Sequence, residues 1–224
     1  GLGDPSDKVM GVAVLDYNGD GWPDLFVGSD RVPAKLFRND GKGRFVDEGV
    51  KAGVALSENG VARANMGVDA ADYDRSGRPH ILVGNFVNEM LGLYHNDDGA
   101  QFHDAAPRTE VGRASLLAVT WATFFFDADL DGYPDIFAAN GGTDESQGRD
   151  ARARISQPPL LLRALAIRWL RKLSQPLCRI SRISAAWCWT SSGRRRPNMP
   201  PPRCSNESPA IIPKPVSKGS RCSR

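Results

Sequence analysis

Asp16-Tyr17-Asn18-Gly19-Asp20-Gly21-Trp22-Pro23-Asp24 decides the reading of this chain, because it recurs. Asp127-Ala128-Asp129-Leu130-Asp131-Gly132-Tyr133-Pro134-Asp135 repeats it, and Asp72-Tyr73-Asp74-Arg75-Ser76-Gly77-Arg78-Pro79-His80 is a worn copy between them. The first aspartates stand at 16, 72 and 127, so the steps are 56 and 55 residues. A fixed period of about 50 residues marks a repeat architecture.

In the first and third copies oxygen side chains occupy positions 1, 3, 5 and 9, and glycine occupies position 6 in all three. A hard cation such as Ca²⁺ takes about 6–8 oxygens, so a short loop must turn several carboxylates inward to hold one. The first loop offers Asp16, Asn18, Asp20 and Asp24, with the Trp22 carbonyl as a backbone ligand. The third offers Asp127, Asp129, Asp131 and Asp135, with the Tyr133 carbonyl. In the middle loop Asp72 and Asp74 remain, Ser76 is a weak ligand and His80 replaces the last aspartate, so this copy reads as a weak metal site. An EF-hand is excluded: its loop ends on a bidentate Glu at position 12, where this chain has Val27 and Ala138. The plain alternative is that Asp/Asn/Gly runs are surface turns; two good copies in register weigh against it.

Apolar runs flank the loops. Met10–Leu15, Met66–Ala71 and Trp121–Phe126 each read as a strand entering its loop, and Leu25–Gly28 and Ile136–Ala139 as buried strands leaving it. A hairpin signature follows twice, Leu36-Phe37-Arg38-Asn39-Asp40-Gly41 and Leu93-Tyr94-His95-Asn96-Asp97-Asp98-Gly99. Asn-Asp-Gly between apolar runs is a strong hairpin turn. Each unit therefore has four short antiparallel strands, the make-up of a propeller blade. The fold class is all-β: a partial propeller of about two and a half blades, with units near 8–55, 64–110 and 119–150. Phe37, Phe45, Tyr94 and Phe102 repeat at one register position and read as blade packing rather than a sugar platform.

These residues resemble the FG-GAP or VCBS repeat, found in integrin α-subunit heads and many secreted bacterial proteins, and most closely the branch that carries an ASPIC/UnbV module. The resemblance covers about 1–150. It implies a Ca²⁺-stabilised propeller in an extracellular, periplasmic or cell-surface setting. It implies no reaction, because fold does not fix function.

Composition changes near residue 150. Residues 1–150 hold 13 Lys+Arg against 25 Asp+Glu, a net of −12, whereas 151–224 hold 16 against 1, a net of +15. All four cysteines and ten of the 16 prolines lie in the second part, so no disulfide can brace the repeats. Gln157–Arg163 begins a further hairpin, after which the pattern is lost among Arg, Ser, Pro, Cys and Trp. The tail reads as a disordered, non-propeller segment, and the preferred explanation is an out-of-frame translation of a GC-rich gene. A basic arm for nucleic acid, centred on Arg194-Arg195-Arg196, is the competing reading. A membrane span is excluded, since Arg163 and Arg168 break the stretch from Leu160 to Leu170. Cys178, Cys188, Cys204 and Cys222 show no close pair of the zinc-binding kind. The start at Gly1 without Met reads as a cut end, with neighbouring blades of a parent chain as the nearest partners.

Three function classes follow. The first is a non-catalytic Ca²⁺-binding module, structural or presenting loops to an extracellular protein or carbohydrate. The second is the propeller domain of a secreted hydrolase or lyase; no Gly-x-Ser-x-Gly elbow and no His-Glu-x-x-His motif supports it. The third is nucleic-acid binding through the tail. The three histidines are His80, His95 and His103, and the last two face each other across a predicted hairpin. A surface or packing role is the reading for them.

Overall fold

The computed structural model describes residues 7–142, 156–164 and 171–172. Val9–Leu15 (β1), Asp24–Ser29 (β2), Lys35–Asn39 (β3) and Phe45–Asp47 (β4) form one four-stranded sheet in chain order. Val68–Ala71 (β5), His80–Val83 (β6), Gly92–Asn96 (β7) and Phe102–Asp104 (β8) form the second. Thr120–Phe126 (β9), Asp135–Asn140 (β10), Leu160–Arg163 (β11) and Arg171–Lys172 (β12) form the third. Every pairing is antiparallel. Each Asp loop joins the first two strands of its sheet, and each Asn-Asp-Gly turn joins the last two of the first and second sheets, as the sequence predicts.

The third sheet runs past residue 150. Leu162 pairs with Ile136 as Phe37 pairs with Leu25, so Leu160–Arg163 is the third strand of its blade. The described residues therefore hold three four-stranded sheets rather than two and a half, and the third draws on the segment that composition assigns to the tail. The reason is a longer connection. Five residues separate β2 from β3 and eight separate β6 from β7, but nineteen separate β10 from β11. The expectations of disorder and of out-of-frame sequence cover 151–224, of which the structure describes 156–164 and 171–172; for the rest they lie outside the described residues.

Two cores hold the blades together. Phe26, Leu36 and Leu15 of the first sheet pack with Ile81, Val83, Tyr94 and Phe102 of the second. Leu82, Leu91 and Leu93, from the second sheet and the turn before β7, pack with Ile136, Ala138 and Leu162 of the third. The alternation along β6 thus sends Ile81 to one neighbour and Leu82 to the other, and all four residues of this strand are buried. Phe37, Tyr94 and Phe102 are buried, and Phe45 is half-buried. Two short helices, Gly49–Ala52 (α1) and Glu110–Ser115 (α2), lie in the links between blades.

The innermost strands β1, β5 and β9 lie side by side, with small residues where they touch. A Cβ on Gly11 would sit 2.6 Å from the Met66 carbonyl oxygen, and one on Gly67 would sit 2.7 Å from the Ala122 Cα. The outward faces of the first and third sheets carry uncovered apolar side chains. Val12 and Val14 are exposed on one, Phe124 and Phe126 on the other. Among the described residues no helix is long and apolar enough to cross a membrane.

Candidate metal centres

The first loop is a coil of backbone amides around Asp16. Its Oδ1 accepts from the amides of Gly19 (2.8 Å) and Asp20 (3.1 Å), and its Oδ2 from Gly21 (2.8 Å). Asn18 Oδ1 accepts from the Asp20 amide at 3.0 Å, and Asp20 Oδ1 from the Trp22 amide at 2.8 Å. This winding needs left-handed backbone at positions 4 and 6. Position 6 is glycine in all three loops, with φ of 85°, 83° and 86° at Gly21, Gly77 and Gly132. Position 4 is Gly19 in the first loop but Arg75 and Leu130 in the others, at φ of 61° and 60°, a conformation costly for a residue with a Cβ.

Asp24 closes the loop from inside the sheet. It is fully buried, and its Oδ1 and Oδ2 accept from the amides of Asn39 (2.7 Å) and Tyr17 (3.3 Å). Burial pushes its carboxyl above the usual range, the two amides pull it down, and Asp20 and Asp16 push it up again. Asp135 repeats the arrangement in the third loop. It is also fully buried, and it accepts from Ala164 (2.7 Å) and Ala128 (3.1 Å). Burial raises it, with Asp131 and Asp127 adding to the effect against those two amides.

In the third loop Asp127 accepts from the amides of Asp131 (3.1 Å) and Gly132 (2.7 Å), and Asp131 from the Tyr133 amide (2.9 Å). Carboxylate oxygens of Asp127, Asp129 and Asp135 lie within 4.8 Å of one another. Asp129 is also paired with Arg163, a contact that the repeat pattern did not anticipate. The aromatics at position 7 brace the loops. Trp22 covers Gly41 of its own hairpin, and the Arg75 guanidinium stacks 4.0 Å over the Tyr133 ring. The four side chains predicted for each outer loop share one turn, with position 9 buried and position 1 half-buried; carboxylates of three of them converge in the third loop, as fits a divalent cation, whereas those of the first are not drawn as close.

The middle loop keeps the winding and changes the chemistry. Asp72 accepts from the amides of Ser76 (2.9 Å) and Gly77 (2.8 Å). At position 9, His80 does the inner task of Asp24 and Asp135: its Nδ1 accepts from the Asn96 amide at 2.9 Å. That bond assigns the proton of the neutral ring to Nε2, which donates to Asp74 Oδ1 at 2.9 Å. Burial pushes the His80 imidazole down, against Asp74, which would raise it. Burial alone would raise the Asp74 carboxyl, but His80 and Ser76 outweigh it and hold it well below the usual carboxylate range. Asp74 Oδ2 meets His95 Nε2 at 3.1 Å, so both oxygens of this expected ligand are engaged by histidines.

Sequence reasoning missed two things here. One is the second task of position 9, which ties the loop to the third strand of the blade. The other is the convergence of all three histidines in one row. The His95–His103 pairing was readable from the hairpin and is found in the register, but the carboxylates between them were not.

Residues 16–83 match the FG-GAP-like repeat family. Over 150 residues the chain is 29% identical to cartilage acidic protein 1 of Xenopus tropicalis, a match that covers 66% of this chain and 23% of that protein. The chain therefore spans less than a quarter of that relative's length. The matched segment begins at Asp16 and ends at Val83, so it takes in the first loop, the first sheet from β2 onward and the first two strands of the second. The match to the FG-GAP-like repeat thus falls on the first two Asp loops and the first hairpin turn, residues that carry the resemblance in the sequence.

Proposed function

We propose that this chain is a Ca²⁺-binding segment of an extracellular β-propeller, structural or ligand-binding in role and not itself catalytic. The observation that carries this reading is the pair of fully buried carboxylates, Asp24 and Asp135, each beside two further aspartates of its loop. Like charges gathered beside a buried carboxylate are costly without a cation. Asp16, Asn18, Asp20, Asp24 and the Trp22 carbonyl would hold one ion. Asp127, Asp129, Asp131, Asp135 and the Tyr133 carbonyl would hold a second. Bound Ca²⁺ neutralises these carboxylates and ties the two strands that each loop joins. An extracellular, periplasmic or cell-surface setting rests on the family resemblance.

The nearest partners are further blades. The exposed Val12 and Val14 on one open face, and Phe124 and Phe126 on the other, favour cover by neighbouring sheets. A protein or carbohydrate ligand would meet the loops of the assembled propeller.

Circular dichroism and thermal melting in EDTA, and again after Ca²⁺ is restored, test the metal. At a dissociation constant near 10⁻⁴ M, 10 mM Ca²⁺ stabilises by about 2.7 kcal/mol per site. Mg²⁺ substitutes poorly because it demands a tight octahedral shell and retains its waters. Acid releases the ion as the ligand carboxylates take up protons, and burial, which raises Asp24 and Asp135, brings that release to higher pH. An unchanged melt in EDTA at neutral pH would reduce the loops to plain turns.

A further inference from the structure

We propose that the middle blade carries a second kind of metal centre, for an imidazole-preferring ion of the Zn²⁺ class, built from His95 Nδ1, Asp97 and His103 Nδ1. The three histidines of the chain form one row here. The rings of His80 and His95 lie 4.5 Å apart between centroids, and those of His95 and His103 lie 5.1 Å apart. Asp74 stands between the first two and Asp97 between the last two.

Proton accounting points to a cation. The His80 ring is committed on both sides, to the Asn96 amide at Nδ1 and to Asp74 at Nε2. His95 faces a carboxylate at each ring nitrogen, Asp74 Oδ2 at Nε2 (3.1 Å) and Asp97 Oδ1 at Nδ1 (3.1 Å). A neutral imidazole has one N–H, so it satisfies one of these two. With the proton on Nε2, the Nδ1 lone pair is aimed at the carboxylate of Asp97. His103 Nδ1 meets both oxygens of the same group, at 2.8 and 3.0 Å. His103 can carry its proton at Nδ1 and donate to Asp97, so the contact left without a proton is His95 Nδ1 against Asp97 Oδ1; a proton added to His95 reconciles it, and so does a metal ion that displaces the His103 Nδ1 proton and takes all three groups as ligands.

The surroundings favour the metal. A ligating histidine whose other nitrogen donates to a carboxylate is the usual outer support of a metal site, and Asp74 supplies it to His95. Asp74 is itself fixed by His80, which is anchored to the backbone. Two imidazoles with one carboxylate suit Zn²⁺, whereas Ca²⁺ takes oxygens. The ligand atoms lie within 4.8 Å of one another. A tetrahedral ion with bonds of about 2.0–2.1 Å needs them about 3.3 Å apart. His103 and Asp97 have side chains 49% and 43% exposed, so they are free to adjust and the ion has a path in. His95, at 17%, is the fixed member. The fourth position faces solvent.

The test uses the full chain with its cysteines alkylated, in saturating Ca²⁺, titrated with Zn²⁺ by calorimetry and with Co²⁺ by absorption. One Zn²⁺ is expected to bind, with His103→Gln and Asp97→Asn each lowering the affinity at least tenfold. Asp74→Asn, which removes support rather than a ligand, lowers it about tenfold. Glu110→Gln, which removes only an exposed ion pair with Arg113 on α2, leaves it unchanged. In long-range ¹H–¹⁵N spectra of the unsubstituted protein, Zn²⁺ shifts Nδ1 of His95 and His103 and leaves His80 in place. Absence of saturable Zn²⁺ uptake, an affinity indifferent to His103→Gln, or coordination at His80 would each overturn the proposal. It is independent of the Ca²⁺ reading, since EDTA-sensitive melting reports the outer loops alone when Zn²⁺ is withheld.

Discussion

The middle loop and the two outer loops share a backbone and differ in what they ask of position 9. In the outer loops a buried aspartate holds the third strand of the blade while adding charge to a cluster of carboxylates. In the middle loop a histidine holds the same strand as a neutral acceptor, and its far nitrogen takes up Asp74. One task, capping the amide of residue 39, 96 or 164, is common to all three. The other, attracting a cation, belongs to the outer two. The comparison separates what the blade requires of this residue from what a metal requires of it.

The largest effect comes from removing the shared task. Asp24→Ala leaves the buried amides of Asn39 and Tyr17 without an acceptor, at about 1–3 kcal/mol each, so roughly 4 kcal/mol is lost. His80→Ala costs a similar amount in EDTA. In saturating Ca²⁺ the two diverge, because only Asp24→Ala also forfeits the stabilisation by the ion. Urea unfolding of both variants with and without Ca²⁺ checks this. Equal Ca²⁺ dependence in the two would erase the distinction between the loops.

A smaller effect sharpens it. His80→Asp restores the outer-loop residue, frees Oδ1 of Asp74 and raises the ligand charge of the middle loop from −2 to −3, equal to that of Asp16, Asp20 and Asp24 in the first. Calorimetry should then find one more Ca²⁺ per chain, bound about tenfold more tightly than by the unsubstituted middle loop, or about 1.4 kcal/mol. If the stoichiometry stays the same, the inner histidine is not what weakens that site. Ranked by ligand charge alone, affinity runs third loop, first, middle. The pairing of Arg163 with Asp129 opposes the third, so a reversal of the first two would locate its cost.

The smallest effect lies outside the metal question and calibrates it. Glu48 braces the first blade through Arg38 Nε (3.1 Å) and the Tyr17 hydroxyl (3.0 Å). Burial would raise its carboxyl, but these two partners and Lys51 hold it below the ordinary value. A carboxyl depressed in the folded state gives its stabilisation in full above the unfolded pKa of about 4.3 and loses it as pH falls through the folded one. Glu48→Gln should therefore cost about 1 kcal/mol at pH 7 and almost nothing at pH 3. A gap that persists in acid would show that packing, not charge, is lost.

Most of the fold was readable from the sequence because its signals are local. The Asp loops and the Asn-Asp-Gly turns are side chains bonding to backbone within a few residues, and the strands between them are short apolar runs. The third hairpin was missed in part because its connection is nineteen residues long, so Leu160–Arg163 arrives late and among arginines. The inner task of position 9 was hidden for another reason. Its partner amides stand 15, 16 and 29 residues away on a different strand, and no turn signature records such a bond. The row of histidines was half visible: a hairpin register pairs His95 with His103, but bringing Asp74 and His80 to the same edge takes the whole sheet.

The middle blade reaches into both neighbours. Asn96 Nδ2 donates to the Tyr17 carbonyl of the first loop at 2.9 Å, and Arg75 Nε donates to the Gly132 carbonyl of the third at 3.1 Å. In a linear array, stability is a sum of unit terms and nearest-neighbour interface terms. Both couplings here originate from the central unit, and each ends on the backbone of a loop proposed to hold Ca²⁺. Ordering either outer loop thus lowers the entropy cost of ordering the middle one, and the middle one passes that gain to the far side. The three blades form a short cooperative lattice in which the end units fray singly, whereas the loss of the centre uncouples both at once.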